Sequence, residues 1–257
     1  MLSFFMQMDL KHFFENNPKV AVAFSGGVDS SYLLYAAIKY GCDVTAYYVS
    51  SQFQPVFELE DAKRMATDLN ARMKILQADV LSSCDITDNP PDRCYHCKKV
   101  IFSLITEAAS KDGYTIILDG TNASDDEGDR PGMRALRELT VASPLKIAGL
   151  TKQDVRRLSR EAGLFTWDKP AYACLATRIP TGEVITAEKL KITEESEDLL
   201  FSYGLSDFRI RMFHGAARIQ LPKDQIELFL KHREDIVDSL KKSYSAVLLD
   251  LEVRNGQ

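Results

Sequence analysis

The sequence lacks the features that would place the protein in a membrane or outside the cell. Among its 257 residues, no segment reaches the roughly 18 uncharged apolar residues that a membrane-spanning helix requires. The apolar start, residues 1–6, has neither a basic stretch nor a small-residue cleavage site, so we expect no secretory signal. The five cysteines therefore predict reduced thiols in a cytoplasmic protein and not a disulfide framework.

An excess of positive charge is also missing. The chain has 32 basic and 37 acidic residues, a formal net charge of −5. This balance gives no electrostatic basis for a surface that binds nucleic acid. The sequence also has no internal repeat, no low-complexity tract and no second C-x-x-C of the kind a zinc ribbon requires.

The N-terminal part of the sequence shows a regular alternation of strand and helix patterns. We predict strands at 19–24, 43–49, 72–77 and 114–119 and helices at 30–40, 55–69, 96–111 and 126–138, after a first helix that ends near residue 16. A further helix begins with a capping-box pattern at 151–154 and ends at Gly163. Strands separated by helices predict an α/β fold with a doubly wound parallel sheet.

The pattern changes after this region. Residues 164–185 contain Trp167, Pro170, Pro180 and Gly182 without clear periodicity, which is typical of a functional loop between domains. A helix (186–203), two strands (207–213 and 216–221), a helix (223–241) and a strand (245–253) follow. We therefore predict a first domain at 1–165 and a second, smaller α+β domain with its loop at 166–257.

The motif SGGVDSS at residues 25–31 follows the first predicted strand and opens a helix. A glycine turn at a helix N-terminus presents free backbone N–H groups to a phosphate. The lysine of a Walker loop is absent, so the usual kinase or GTPase loop is excluded. The motif resembles the PP-loop of the ATP pyrophosphatases, which cleave ATP to AMP and pyrophosphate. The alternative is a glycine turn that binds nothing.

That resemblance implies an ATP site with Mg²⁺. The residues expected to hold the phosphates are Ser25, Gly26, Gly27, Asp29, Ser30 and Ser31. Asp29 would support either Mg²⁺ or the geometry of the loop. We expect the adenine near Val49 and Ser50, by analogy with doubly wound nucleotide-binding folds.

A second polar segment, DGTNASD at residues 119–125, follows the fourth predicted strand. Gly120 would let a ligand approach the backbone, while Asn122 and Asp125 could reach Mg²⁺ or polar substrate groups. The alternative is an Asx turn that caps the next helix.

Three cysteines stand in chemically suggestive positions. Cys94 and Cys97 form a C-x-x-C, whose spacing places two thiolates within reach of one metal. Cys174 lies far along the chain, in the irregular loop. If it folds back onto the pair, three thiolates could hold a [4Fe–4S] cluster and leave the fourth iron open.

Other interpretations of the cysteines remain open. A Cys₃His zinc site could use His96 or His214, and all three thiols could instead be small buried side chains. Cys42 and Cys84 have no motif around them, and we expect both to be buried in that way.

Together, these segments resemble one family over nearly the whole chain. Residues 89–99 (NPPDRCYHCKK), 119–125 and 169–178 (KPAYACLATR), in the same order after the PP-loop, are similar to the LarE family of ATP-dependent sulfur transferases. These make the nickel-pincer cofactor of lactate racemase. The resemblance implies an adenine nucleotide alpha hydrolase-like fold, a homo-oligomer and a possible sulfide-delivery protein.

The resemblance also implies a reaction. ATP would adenylate a carboxylate of pyridinium-3,5-biscarboxylic acid mononucleotide, and a sulfur nucleophile would then attack the acyl-adenylate. In the simplest members the cysteine matching Cys174 gives up its own sulfur, so the protein turns over once. Members with the extra C-x-x-C resemble cluster enzymes, so Cys94, Cys97 and Cys174 predict a cluster that supplies sulfide over many turnovers.

The C-terminal segment FRIRMFHGAARIQ at 208–220 resembles the family's phosphate-binding motif. The arginines expected to bind the substrate phosphate are Arg178, Arg209, Arg211 and Arg218. Gln220 departs from the motif, where an acidic residue is expected, so a cation site there is in doubt. The alternative is a solvated strand face. We expect Arg178→Ala or Arg211→Ala to weaken substrate binding with little change in stability.

Three alternative functions differ from this one. A PP-loop tRNA thiolase would also use cysteines, but the acidic net charge disfavours it. An amide-forming synthetase would leave the three cysteines unused. A non-enzymatic nucleotide sensor or iron–sulfur carrier would not explain the arginine-bearing strand.

Overall fold

The computed structural model describes residues 9–125 and 131–254. Their contacts divide the chain into two compact units. The first unit contains residues up to 51, then 56–78 and 94–169; the second contains 52–55, 79–93 and the chain from 170 onward. The division thus falls after residue 169 and attaches two short segments of the N-terminal half to the second unit.

The elements alternate along the chain much as the sequence predicts. The helices are α1 (Leu10–Asn16), α2 (Val28–Lys39), α3 (Val56–Asp68), α4 (Cys84–Thr87), α5 (Arg93–Lys111), α6 (Pro131–Glu138), α7 (Pro144–Ile147), α8 (Lys152–Glu161), α9 (Ala187–Ser202), α10 (Ile226–Lys231) and α11 (Arg233–Leu240). The strands are β1 (Lys19–Ala23), β2 (Asp43–Ser51), β3 (Arg72–Ala78), β4 (Ile117–Leu118), β5 (Arg209–Phe213), β6 (Ala216–Gln220) and β7 (Val247–Leu249).

The first unit is built on a parallel sheet of order β3-β2-β1-β4. β1 lies between β2 and β4, and its Val20, Ala21 and Val22 have no exposed surface. A continuous apolar run is what a strand buried on both faces requires. The predicted parallel α/β fold is confirmed.

The strand order also locates the place where a ligand can bind. The chain moves to one side of β1 through β2 and β3, and to the other side through β4. The loops that leave the carboxyl ends of β1 and β4 therefore diverge, and ligands of open α/β sheets bind in the crevice between such loops. The SGGVDSS loop and the 119–125 segment are those two loops.

The second unit contains a three-stranded mixed sheet of order β5-β6-β7. β5 and β6 form a hairpin whose turn residues His214 and Gly215 both have positive φ, 49° and 79°, as tight hairpins prefer. β7 adds to β6 in parallel. Ile210 and Ile219 are fully buried in this unit's core.

The element bounds differ from prediction in several places. Strand β4 has two paired residues where 114–119 were predicted, and β7 has three where 245–253 were predicted. The predicted helix 223–241 is interrupted at His232, which has φ −105° and ψ 13°. Of the first predicted helix, the described part begins at Leu10, where the Asp9 carboxylate accepts a hydrogen bond from the His12 N–H. Residues 126–130 of the helix predicted at 126–138 lie outside the described residues.

No helix among residues 9–125 and 131–254 has the length and apolar character needed to span a membrane.

Candidate functional site

The SGGVDSS loop makes its turn at Gly26, which has a φ of +72°. A Cβ at this position would lie 3.1 Å from the Cβ of Ala62 on α3. Gly27 is the N-cap residue of α2. Both the left-handed backbone and the close approach of α3 explain why glycine is required at position 26.

Two serines brace this loop from inside. The hydroxyl oxygens of Ser25 and Ser30 are 3.0 Å apart, and the Ser25 N–H donates to the Ser30 hydroxyl at 3.2 Å. The Ser30 hydroxyl donates to the Gly27 carbonyl at 3.3 Å. The next hydroxyl, that of Ser31, is fully buried without a hydrogen-bond partner among the described residues. The hydrogen bonds of Ser25 and Ser30 hold the N-terminus of α2 in a defined geometry.

Asp29 connects three segments of the first unit. Its carboxylate accepts hydrogen bonds from the Asn122 side-chain amide at 3.2 Å and from the Lys152 ammonium at 2.5 Å. Lys152 is the first residue of α8, which has the predicted capping box formed by Thr151 and Asp154. In this arrangement Asp29 supports the geometry of the loop. No motif in the sequence marks Lys152 as a site residue.

The 119–125 segment lies directly against the start of α2. A Cβ on Gly120 would stand 3.0 Å from the Ser30 nitrogen and 3.1 Å from the Asp29 Cβ. The buried Asp119 carboxylate accepts hydrogen bonds from the hydroxyls of Thr121 at 2.5 Å and Ser143 at 2.6 Å. Gly120 therefore lets the two loops approach each other.

Asn122 combines a contact to Asp29 with an Asx turn, which was the alternative interpretation of this segment. Its side-chain oxygen accepts a hydrogen bond from the Ser124 N–H at 2.8 Å, and its own N–H donates to the Asp125 carboxylate at 2.9 Å. The turn and a functional role are thus compatible in this segment.

A cavity of about 600 Å³ opens between these loops. Its lining from the two loops comprises Ser25, Gly27, Asp29, Ser30, Asp119, Gly120, Thr121 and Asp125. Val49, which is buried within β2, is not among its lining residues. We call this space the phosphate cavity, because it joins a helix N-terminus to polar side chains at the switch point of the sheet.

Helix α5 closes one side of the phosphate cavity with Cys94, Lys98 and Phe102. Burial lowers the pKa of the Lys98 amine, and the negative charge of Asp119 opposes that shift. A basic side chain therefore lies beside the cavity. Sequence reasoning treated Lys98 only as a neighbour of the cysteines.

The C-x-x-C lies on the first turn of α5. Cys94 is exposed and Cys97 is half-buried, one helical turn apart. Within the described residues of each unit, no three His, Cys, Asp or Glu side chains form a group that could hold a metal. His96 is half-buried on the same turn, whereas His214 is exposed in the hairpin of the second unit.

The prediction that Cys42 and Cys84 are both buried is wrong for Cys84, which is exposed at the start of α4. Cys42 is half-buried, and burial raises the pKa of its thiol.

Cys174 lies in the second unit, half-buried, at the N-cap of a short 3₁₀ helix, Leu175–Arg178. Its carbonyl accepts hydrogen bonds from the Thr177 N–H at 3.0 Å and the Thr177 hydroxyl at 2.8 Å. We call residues 171–178 the Cys174 loop. Its backbone conformation is thus defined locally on the C-terminal side of the cysteine.

Arg178 is buried, with no exposed side-chain surface. Its Nε and Nη2 donate to the two carboxylate oxygens of Glu197 at 2.7 Å and 3.0 Å. Burial alone would lower the pKa of Arg178, but the hydrogen bonds and charge of Glu197 hold it above its usual value. Arg178 therefore lies in an ion pair, where a solvated or phosphate-facing group was expected.

Arg209 and Arg211 line a different cavity, of about 580 Å³, which we call the arginine cavity. Burial, followed by repulsion from Arg178 and Arg254, lowers the pKa of Arg209 to about 10. Burial and the neighbouring arginines also lower the pKa of Arg211. Both shifts reflect burial and the mutual repulsion of neighbouring guanidinium groups. Asp207 lies 4.0 Å from Arg209 and 2.8 Å from Arg254, and Glu252 also lines the cavity.

The arginine cavity also contains Arg254, a guanidinium that sequence reasoning missed because it lies far from the motif. Arg218 instead lines a smaller cavity of about 300 Å³, which Arg178 and Arg211 also border. Gln220 accepts from the Arg211 Nε at 3.1 Å and donates to Asp250 at 3.0 Å. The four predicted arginines therefore do not all face one space.

Comparisons with known proteins match both the PP-loop region and nearly the whole chain. A family model described as queuosine biosynthesis protein QueC matches residues 19–89, which include the SGGVDSS loop. An uncharacterized protein of Synechocystis sp. is 35% identical over 250 residues, covering 95% of this chain and 92% of the relative. A tRNA-specific 2-thiouridylase MnmA of Treponema denticola is 28% identical over 191 residues, covering 59% and 52%.

A further relative is the pyridinium-3,5-bisthiocarboxylic acid mononucleotide synthase of Lactiplantibacillus plantarum. It is 34% identical over 236 residues, covering 91% of this chain and 86% of the relative. With the PP-loop at the switch point of an adenine nucleotide alpha hydrolase-like sheet, this likeness shows that the chain belongs to the LarE-like family of PP-loop ATP pyrophosphatases.

Proposed function

We propose that this protein is an ATP-dependent sulfur transferase that converts pyridinium-3,5-biscarboxylic acid mononucleotide to its thiocarboxylic form. The observation that carries the proposal is the 34% identity, over nearly the whole chain, to a synthase of the corresponding bisthiocarboxylic acid mononucleotide. The use of ATP follows from the PP-loop family. The phosphate cavity and the arginine cavity supply sites for two anionic ligands.

The first step is adenylation. A carboxylate oxygen of the substrate attacks the α-phosphorus of ATP, and pyrophosphate leaves. The backbone N–H groups of residues 25–31 at the N-terminus of α2 would bind the phosphates, with Ser25 and Ser30 shaping the loop. Mg²⁺ would neutralise the departing pyrophosphate near Asp29 and Asp125.

The second step is sulfur insertion. A sulfur nucleophile attacks the carbonyl carbon of the acyl-adenylate, AMP leaves, and a thiocarboxylate forms. In the second unit, Arg209 and Arg211, which line the arginine cavity, would bind the substrate phosphate, because guanidinium groups pair with phosphate through two parallel hydrogen bonds. Arg218 would act from the smaller cavity that Arg211 also borders. Cys174 would carry the sulfur chemistry.

For the sulfur source, we propose Cys94, Cys97 and Cys174 as ligands of a [4Fe–4S] cluster. The i,i+3 spacing of the first two on one helical turn suits two corners of a cluster, and both thiols reach the surface of α5. When bound, such a cluster would supply sulfide at its open iron. A homo-oligomer and a sulfide-delivering protein complete the proposal.

The test of the overall reaction is substrate-dependent release of pyrophosphate together with the mass of the product. We expect pyrophosphate only when both ATP and the dicarboxylic mononucleotide are present, and a product heavier by the exchange of oxygen for sulfur. ATP cleavage without the mononucleotide, or with it but without sulfur incorporation under added sulfide, would count against the proposal. Arg157→Met, an exposed change on α8, serves as the control variant.

The test of the sulfur source is anaerobic iron and acid-labile sulfide analysis of Cys94→Ala, Cys97→Ala and Cys174→Ala. We expect about four irons per wild-type chain, as in a [4Fe–4S] centre, and loss of iron in each variant. Cys84→Ala, which changes an exposed thiol, should keep its iron. If no sample contains iron and Cys174 loses one H₂S after reaction, the cysteine has donated its own sulfur. In that case its Cβ–Sγ bond breaks, the α-proton leaves, and dehydroalanine remains.

The likeness to MnmA favours a tRNA thiolase as the second candidate. Such a protein would have to retain tRNA, which the net charge of −5 disfavours.

A further inference from the structure

Four arginines of the second unit donate hydrogen bonds to backbone carbonyl groups of the Cys174 loop. The donor and acceptor pairs are Arg209 with Ala171, Arg178 with Ala173 at 3.0 Å, Arg93 with Ala176 at 3.0 Å and Arg211 with Thr177 at 2.8 Å. A loop without regular secondary structure leaves its carbonyl groups in need of partners. Here charged donors meet that need on both sides of Cys174.

Arg178 uses most of its N–H donors within the protein. Its Nη1 donates to the Ala173 carbonyl and, at 2.7 Å, to the Thr177 hydroxyl, while Nε and Nη2 bind Glu197. Four of its five N–H donors are therefore used inside the protein. This leaves too few donors for a phosphate.

Glu197 holds Arg178 from α9 and is itself held by two further donors. The Tyr172 hydroxyl donates to its Oε2, and the Ile210 N–H donates to its Oε1 at 3.1 Å. Glu197 thus joins the Cys174 loop, α9 and β5. Its side chain is 1% exposed, so solvent does not compete for these bonds.

We propose that the Arg178–Glu197 pair is a positioning device that fixes the Cys174 loop for sulfur transfer, and that Arg178 is not a substrate ligand. The proposal rests on the proposed function for the chemical role of Cys174. Ala173 and Thr177, which Arg178 contacts, line the arginine cavity. The pair therefore sets the place of the cysteine relative to Arg209 and Arg211, which lie in the same unit.

Removal of one partner alone would leave a buried, uncompensated charge and could unfold the unit. The main test is therefore the double variant Arg178→Met/Glu197→Leu, which removes both charges at similar volume. Arg178→Lys is the second variant, because it keeps the charge and loses the paired geometry. Glu195→Gln is the control, an exposed carboxylate two residues away on the same helix.

The first readout is the rate at which iodoacetamide alkylates Cys174, measured by mass spectrometry in a Cys94→Ala/Cys97→Ala background that lacks two of the proposed cluster ligands. Cys84, exposed in the same unit, is the internal standard. We expect a several-fold increase at Cys174 in the double variant, a smaller increase in Arg178→Lys, and no change in Glu195→Gln. Unchanged alkylation of Cys174 in both test variants would overturn the proposal.

The second readout is the sulfur transferred per pyrophosphate released at saturating substrate, in the chain with all its cysteines. We expect this ratio to fall about 100-fold in the double variant, the effect of misplacing a reacting group by about 1 Å. A higher KM for the mononucleotide, with an unchanged ratio of sulfur transferred to pyrophosphate released, would instead make Arg178 a substrate ligand and overturn the proposal. If the wild type transfers no sulfur, the proposed function fails, and the alkylation rates still decide whether the pair positions the loop.

Discussion

At the scale of single residues, Gly120 is a position where the site leaves no room for a side chain. A methyl group there would stand 3.0 Å from the Ser30 nitrogen, which belongs to the backbone and cannot move aside like a side chain. We expect Gly120→Ala to separate the 119–125 segment from the start of α2, with a loss of about 1–3 kcal/mol in the free energy of unfolding. Because this junction shapes the phosphate cavity, ATP affinity should fall as well, as measured by calorimetry.

The matched control is Gly41→Ala, at the end of α2 away from the cavity. Gly41 has a φ of +78° and nothing within 4 Å of the position of a Cβ. Its substitution should cost stability through backbone strain alone and leave ATP affinity unchanged. Equal loss of ATP affinity in both variants would show that Gly120 acts only through global stability.

Residue types were easier to predict from the sequence than residue environments. The SGGVDSS and C-x-x-C motifs depend on local spacing. The structure places Ser25, Asp29, Ser30 and Gly120 around one cavity, as their positions after strand ends suggest, while Cys94 of α5 lies there without having been predicted to. The environment of Arg178 depends on Glu197, which lies on another element. Alanine at 178 would leave that carboxylate buried and unpaired, at a cost of about 3–5 kcal/mol, so the expected small stability change does not fit the structure.

At the scale of elements, helix α8 contributes an ion pair that stabilises the PP-loop. Lys152 on α8 lies 2.5 Å from the Asp29 carboxylate on α2, and both side chains are half-buried. We expect Lys152→Met to remove the hydrogen bond that holds the Asp29 carboxylate in place at the start of α2. ATP affinity should fall about tenfold or more, since a hydrogen bond to a charged group contributes about 1.5–3 kcal/mol.

Equilibrium binding of ATP measures this effect, and Arg157→Met is the control on the same helix. Arg157 pairs with Glu161 on the exposed face of α8, where a salt bridge contributes little. An ATP affinity in Lys152→Met equal to that of the control would mean that the pair is only structural.

The elements themselves were largely predictable, because their apolar periodicity is strong. β1 and the β5–β6 hairpin agree with prediction within a few residues. The weak points were short elements whose pairing depends on distant segments. β4, for instance, pairs with β1 over Ile117 and Leu118 and is continued only by an isolated bridge from Leu118 to Ala142. Such pairing leaves no periodic signal in the sequence.

At the scale of the whole molecule, charge separates the two candidate functions. The chain carries a net charge of −5, while Arg209, Arg211 and Arg254 line the arginine cavity in the second unit together with one carboxylate, Glu252. A polyanion such as tRNA meets the field of the whole surface, whereas a mononucleotide can enter a cavity in which cations outnumber carboxylates. The distribution of charge therefore favours a small anionic substrate.

This argument predicts that the protein does not retain tRNA. In a mobility-shift titration at about 0.15 M salt, total tRNA at about 10 µM should give no shifted band. A protein with a cationic nucleic-acid-binding surface can shift tRNA at this concentration, because even non-specific binding has a Kd of about 10⁻⁴–10⁻⁶ M and depends on many cationic contacts. Stabilisation of the same sample by ATP in a thermal shift experiment shows that the protein is folded and active in binding. A tRNA complex that persists when the salt is doubled would favour the thiolase, because contacts beyond phosphate neutralisation would then hold it.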